Sequence, residues 1–198
     1  HEGSLLMWVL ILTIFNFSYS FFSNSNKKLK NMTIAIQSFL IIGFLLFLIF
    51  TSNPFLLMDE VPSEGLGLNP ILQDPLLAIH PPLLYLGYVG FSLIFSLALA
   101  GLIISEVDKG WAATTRPWAF TAWIFLTSGI GLGSLWAYNE LGWGGYWFWD
   151  PVENASLMPW LAGTALIHCI VVLEKRNTLQ SWTILLSILT FALSLIGT

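Results

Sequence analysis

Charged side chains are scarce in this chain. Only 9% of its 198 residues are charged, whereas 56% are hydrophobic, and the mean hydropathy is +0.78. So few polar groups cannot cover a water-soluble surface, and the sequence therefore predicts an integral membrane protein. A net charge of −4 gives no reason to expect a nucleic-acid partner.

Cysteine is almost absent, and Cys169 is the only one in the chain. One thiol excludes an internal disulfide, a Cys-x-x-Cys redox pair and a Cys-x-x-Cys-His attachment site for haem. Cys169 lies within an apolar run, where we expect a small buried thiol.

Long apolar runs dominate instead of the short alternating strands of a β-barrel. A bilayer-spanning helix needs about 20 mostly apolar residues. Six stretches meet this need, so the sequence predicts an all-α, polytopic membrane helix bundle that forms a single transmembrane domain over 1–198. The spans are predicted near 4–22, 34–50, 83–104, 118–138, 156–173 and 181–198.

All seven basic residues fall between spans one and two, three and four, or five and six. Six spans bring these three connections to one face, which the positive-inside rule assigns to the cytoplasm or to the matrix of an organelle. The opposite, outer face carries no Lys or Arg and most of the acids. It also carries the two long connections, 51–82 and 139–155, and long connections often carry function.

The segment 139–155 on the outer face concentrates aromatic rings beside carboxylates. Trp143, Tyr146, Trp147 and Trp149 are followed at once by Asp150. If Trp143–Asp150 is helical, these side chains form a stripe along the surface, and the neighbouring glycines let a flat ligand approach. An interfacial aromatic belt is the alternative, but the concentration favours a platform for a large planar ligand. Partners for acidic groups of such a ligand would have to be indole N–H groups, Asn139, Asn154 or backbone amides.

Two histidines are candidate ligands of haem iron. His80 precedes two prolines at the entrance of span three, where we expect an extended backbone that projects the ring toward the aromatic segment. The alternative is an interfacial His bonded to a loop carbonyl. His168 lies within span five, nearer the inner face, and serves either a haem in the membrane or a helix–helix hydrogen bond. Two such distant residues cannot serve one iron.

Several motifs resemble one family. Residues 143–156, from Trp143 through Asp150-Pro-Val-Glu-Asn-Ala-Ser, are similar to the tryptophan-rich signature of membrane proteins that handle haem in cytochrome c biogenesis. Across nearly the whole chain, other motifs resemble the haem lyase subunit of system I, the CcmF family: His1-Glu-Gly-Ser, Thr51-Ser-Asn-Pro-Phe, Asn69 to Pro75, His80-Pro-Pro-Leu-Leu-Tyr and Thr115-Arg-Pro-Trp.

The resemblance implies a function for these residues. In that family the aromatic segment, here Trp143, Tyr146, Trp147, Trp149 and Asp150, holds substrate haem b at the outer surface. A haem chaperone delivers the haem, whose vinyl groups are joined to the thiols of apocytochrome c. His80 would be an axial ligand of this haem and His168 of a second, b-type haem in the membrane.

The resemblance also implies partners, because the family pairs each of these ligands with a further His. This chain has three His and begins with His1, so we expect a split subunit or a fragment that works with remaining lyase subunits. Subunits that reduce thiols or bind apocytochrome c, and the lipid bilayer, complete the expected partners. A component of a cytochrome c haem lyase is thus predicted, without an assigned catalytic base.

Three alternatives stay open: a haem transporter or exporter-type binding protein, a system II cytochrome c synthase, and a structural membrane subunit without a ligand. Composition slightly favours the mitochondrial inner membrane over a bacterial inner membrane. The Trp-rich face would then point to the intermembrane space or the periplasm.

Overall fold

The computed structural model describes residues 2–57, 64–65, 67–142 and 145–197. These contain six α-helices and a short 3-10 helix, Pro70–Gln73, and none of these residues lies in a strand. The all-α prediction is therefore confirmed. His1 and Trp143 lie outside the described residues. The helices are α1 Glu2–Phe22, α2 Lys27–Thr51, α3 Pro75–Ile104, α4 Lys109–Glu140, α5 Pro151–Arg176 and α6 Gln180–Ile196.

Helices α1 to α5 are long and apolar enough to cross a membrane. Helix α6 has 17 residues, which is below the usual length of about 20, so its crossing stays a prediction. The chain is a polytopic, helical, integral membrane protein.

Helix α3 lies at the centre of the bundle and packs against α1, α2, α4 and α6. Small residues allow a close approach to α4. A Cβ atom added at Gly87 would lie 2.5 Å from Cβ of Leu126, and one added at Gly90 would lie 2.7 Å from Cβ of Ala122. Lipid tails give helices no hydrophobic reason to associate, so such close backbone packing is a main source of helix–helix stability in membranes.

A buried polar network joins α2 to α3. The amide of Gln37 donates to the hydroxyl of Ser92 at 2.7 Å and accepts from that of Ser96 at 2.6 Å. Inside a bilayer no water is available to form hydrogen bonds with these groups. Their hydrogen bonds to each other therefore set the register between the two helices.

The three basic connections meet at one end of the bundle, hereafter the basic end. The Asn26 amide, before α2, donates to the Glu106 carboxylate, after α3, at 2.6 Å. Arg116, near the start of α4, donates to Glu174, near the end of α5, at 2.7 Å. The opposite end, where α3 and α5 begin and α4 ends, contains the aromatic segment and is hereafter the Trp-rich end.

His80 differs from the prediction, because it lies within α3 and not in extended backbone. Asp74 caps this helix by accepting a hydrogen bond from the Leu76 N–H at 2.6 Å, and Pro75 occupies its first turn. The helix therefore begins before the span predicted from residue 83. Helical hydrogen bonding satisfies the backbone near a membrane, which outweighs the bias of a residue before proline.

Candidate functional site

The described part of the aromatic segment is not helical. Residues 145–150 form an irregular loop, so the helical condition under which the rings would form a stripe is not met there. Trp149 adopts a left-handed backbone, with φ of 58°, and Asp150 is the N-cap of α5. Helical φ and ψ therefore start at Pro151, whose fixed φ suits a first helical position.

Hydrogen bonds fasten this loop to the first turn of α5. Asp150 accepts from the Glu153 N–H at 2.6 Å, and the Glu153 carboxylate accepts from the Phe148 N–H at 2.7 Å. The Asn154 amide donates to the Trp149 carbonyl at 2.8 Å. These contacts resemble a capping box, in which side chains of the first turn satisfy backbone amides that the helix leaves free. Asn154, which we considered as a partner for an acidic ligand, is thus engaged by the loop.

The aromatic rings of the loop have different surroundings. Tyr146 is 60% exposed and stacks on Tyr138 of α4, with ring centroids 4.7 Å apart. Trp149 is 69% exposed and meets Trp147 edge to face at 6.2 Å. Trp147 turns inward and lines a cavity.

This cavity, hereafter the outer cavity, has a volume of about 450 Å³ and lies at the Trp-rich end. Its size falls within the range of about 300–1,000 Å³ that is usual for ligand sites. The structure brings together three predicted site residues here: His80 from α3, and Trp147 and Asp150 from the loop. The wall is completed by α3, α4 and α5 side chains, among them Leu84, Tyr85, Trp136, Glu153 and Ser156.

The His80 ring is held on two sides. Its Nδ1 lies 3.1 Å from the Leu76 carbonyl, and because a carbonyl can only accept, Nδ1 carries the proton. In the neutral ring, Nε2 then keeps its lone pair for a metal or a donor. Trp136 of α4 stacks against the ring, with centroids 5.7 Å apart and planes at 26°. Gly133 leaves the space that the ring occupies, since an added Cβ would lie 3.2 Å from His80 Cδ2.

Two buried polar atoms of residues that line the outer cavity lack a hydrogen-bond partner in the part of the chain that the structure describes. They are the donor Nε1 of Trp136 and the acceptor Oε1 of Glu153. Buried polar groups are usually paired, and an unpaired one costs about 1–3 kcal/mol. A donor and an acceptor at one cavity indicate a polar ligand. Neither was predicted as a site residue from the sequence, although Glu153 is one of the carboxylates beside the aromatic rings.

His168 lines a second cavity of about 430 Å³, hereafter the inner groove, between α4 and α5. Its Nδ1 donates to the Thr164 carbonyl at 2.8 Å, so its Nε2 is available in the same way as that of His80. The other lining residues are mostly apolar, with Phe120, Trp123, Val171 and Val172 among them. Helix α5 links the two sites, and the 15 residues from Glu153 to His168 correspond to about 22 Å. One iron therefore cannot bind both histidines.

A reciprocal pair of hydrogen bonds holds α4 against α5 beside the inner groove. Trp123 donates from Nε1 to the Thr164 hydroxyl at 2.9 Å, and Trp160 donates to the Thr127 hydroxyl at 2.8 Å. The two indoles stack with centroids 5.8 Å apart. Thr164 also accepts the His168 hydrogen bond through its carbonyl, so this pair fixes the position of His168.

Comparison with known proteins identifies the family. Residues 1–198 match the family described as Cytochrome C assembly protein. The chain belongs to this family. It is 60% identical over 199 residues to the cytochrome c-type biogenesis protein CycK of Bradyrhizobium diazoefficiens. It is 55% identical over 200 residues to CcmF of Escherichia coli.

A solved structure supports the same family. The chain superposes on the cytochrome c haem lyase CcmF with a TM-score of 0.85 and 33% sequence identity. These matches cover 100% of the chain but 30%, 31% and 31% of the CycK, CcmF and solved chains, so it spans about a third of their length. The predicted resemblance to the system I haem lyase subunit is confirmed. The two curated relatives are bacterial and give no support to the mitochondrial location that composition favoured.

Proposed function

We propose that this chain is part of a cytochrome c haem lyase and positions substrate haem in the outer cavity. The observation that carries the proposal is the placement of His80 beside Trp147 and Asp150 in one cavity of about 450 Å³. An available imidazole nitrogen next to indole and phenol rings suits haem, which needs an axial ligand and flat apolar walls.

The reaction needs positioning more than acid–base chemistry. Each thioether forms when a thiol of apocytochrome c adds across a vinyl group of haem. The sulfur bonds to one vinyl carbon, and the thiol hydrogen ends on the other. No oxidant is consumed, and holding the vinyl edge toward the thiols converts an encounter of two molecules into a local step. The cavity lies at the Trp-rich end, which by the positive-inside rule would face the outer surface of the membrane.

The inner groove suits a resident b-type haem rather than a substrate. Its walls come from the long helices α4 and α5, and His168 is held by a hydrogen bond within α5. His168 is exposed in this chain, so another part of the lyase can cover it. We propose that the remaining lyase subunits supply the second axial ligand of each haem, and that a haem chaperone and apocytochrome c meet at the Trp-rich end.

Two variants of the whole lyase test the proposal. His80→Ala should abolish cytochrome c maturation while a reduced bis-His b-type absorption spectrum persists. His168→Ala should remove that spectrum, because the membrane haem loses its ligand. Both should be measured in membranes that contain this chain together with the other subunits. Normal maturation by both variants would contradict the two ligand assignments.

A haem exporter is the second candidate, because the same cavity could release haem without bond formation. Covalent haem on apocytochrome c after incubation with the purified lyase separates the two. Transfer of haem to an acceptor without thioether product would support the exporter.

A further inference from the structure

The outer cavity presents a chemical problem for haem, because the ligand carries two carboxylates. Within the described residues that line this cavity there is no Lys or Arg, and Asp150 and Glu153 are acids. Carboxylates are usually held by charge-assisted hydrogen bonds. Some donor must take the place of a basic side chain.

Trp136 supplies such a donor. Its Nε1 is buried and lacks a partner in the described chain, although the residue lines the outer cavity. Two other indoles, Trp123 of α4 and Trp160 of α5, instead donate to threonine hydroxyls. Trp136 also stacks on His80, so its N–H is fixed relative to the imidazole that would bind iron.

Glu153 has the opposite effect. Its Oε2 accepts from the Phe148 N–H, while its Oε1 is buried and unpaired within the described residues. A carboxylate of the ligand cannot approach this oxygen without like-charge repulsion. The residues that line the cavity therefore include one unpaired donor, which would attract a carboxylate, and one carboxylate, which would repel it.

We propose that Trp136 Nε1 donates a hydrogen bond to a carboxylate arm of the porphyrin and that the Glu153 carboxylate repels such an arm from its own vicinity. Together they set the rotation of haem about its iron–His80 axis and so decide which edge carries the vinyl groups toward apocytochrome c. This inference rests on the proposed function, and it adds the recognition of the carboxylate arms.

The test compares binding of hemin with binding of its dimethyl ester, in which both carboxylates are uncharged. Titrations of the purified lyase in nanodiscs, followed by Soret absorbance, give both dissociation constants. Trp136→Phe keeps the ring that stacks on His80 but removes the N–H. It should weaken hemin binding roughly ten-fold or more, as expected for a lost hydrogen bond to a charged group. It should change ester binding little and leave the Soret position unaltered.

Two controls separate the hydrogen bond from packing. Trp8 also has a buried, unpaired Nε1 among the described residues but does not line the cavity, so Trp8→Phe should bind hemin as wild type does. Trp136→Leu removes the stacked ring as well and should shift the Soret band, because the His80 ring loses its support.

Glu153→Gln tests the repelling side. The amide oxygen can still accept from Phe148, while the negative charge is gone, so hemin binding should strengthen. Equal effects of Trp136→Phe on hemin and on the ester would overturn the inference, and so would weaker hemin binding by Glu153→Gln. If His80→Ala and wild type give the same hemin titration, the proposed function itself fails, and the inference fails with it.

Discussion

A single methyl group at Gly133 should report whether His80 is the ligand in the outer cavity. In Gly133→Ala the new Cβ would lie 3.2 Å from Cδ2, 3.6 Å from Nε2 and 3.7 Å from Cγ of His80. The first distance is shorter than an ordinary contact, so the imidazole must shift by a few tenths of an ångström. It can turn little, since Leu76 and Trp136 hold it.

The expected magnitude follows from the cost of turning the ring. A side chain displaced by about 30° from its preferred rotamer costs about 0.5–1.5 kcal/mol, and this cost is an upper limit for the smaller shift needed here. If bound haem needs the original orientation, this cost reduces its affinity by up to about 12-fold, because 1.4 kcal/mol corresponds to about ten-fold.

Gly131→Ala is the matched control, because it lies on the same helix and its added Cβ would meet nothing within 4 Å. Both substitutions bring the same helix-propensity gain, which is below about 1 kcal/mol. Hemin titration by Soret absorbance and thermal unfolding should be measured for both variants in the whole lyase. Equal hemin affinities of the two variants would refute the assignment of His80 as the ligand.

Two further predictions concern the packing that supports the site. Gly87→Ala should lower the free energy of unfolding by about 1–3 kcal/mol, because its Cβ would lie 2.6 Å from the Leu126 backbone. Gly43→Ala is the control, because its added Cβ meets nothing within 4 Å. Unfolding of both variants in detergent checks this, and equal stabilities would contradict the close α3–α4 contact. Asp150→Ala should lower the free energy of unfolding by about 0.5–2 kcal/mol, because α5 loses its N-cap. Asp150→Asn should recover most of this loss, because an amide oxygen also accepts from the Glu153 N–H. An Asn variant as unstable as the Ala variant would show that the charge matters more than the cap.

The sequence predicted that His80 and the aromatic segment lie at the same end of the bundle but not how their side chains are oriented. Charge distribution alone put His80 and the aromatic segment at the same end, and the structure has both at the outer cavity. Helix bounds were harder, because apolar length shows where a helix is buried and not where it starts. Two Asp-Pro pairs in the sequence indicate where two of the helices begin. Asp74-Pro75 opens α3 and Asp150-Pro151 opens α5, as expected for an N-cap followed by proline at the first helical position.

Trp136 could not be predicted from pattern. Its indole faces His80 because α3 and α4 cross closely, and this crossing depends on glycines such as Gly129, where an added Cβ would lie 2.7 Å from the Leu84 backbone nitrogen. A sequence shows that small residues are present at the outer half of α4. Which ring of a neighbouring helix they admit is decided by three-dimensional packing. The unpaired Nε1 is likewise visible only once all partners are in place.

The two cavities share one hydrogen-bonding arrangement of a histidine and differ in the residues that form their walls. In each, a histidine donates Nδ1–H to the carbonyl four residues earlier on its own helix, which leaves the lone pair of Nε2 available. The outer cavity has a loop for one wall and is lined by two residues with polar atoms that are unpaired within the described chain, whereas the inner groove is formed by two helices tied by paired Trp–Thr hydrogen bonds. A loop can move to admit and release a ligand at lower cost than a bonded helix pair. We therefore expect exchange of haem at the outer cavity and retention of haem in the inner groove, a division that suits a substrate in one place and a resident cofactor in the other.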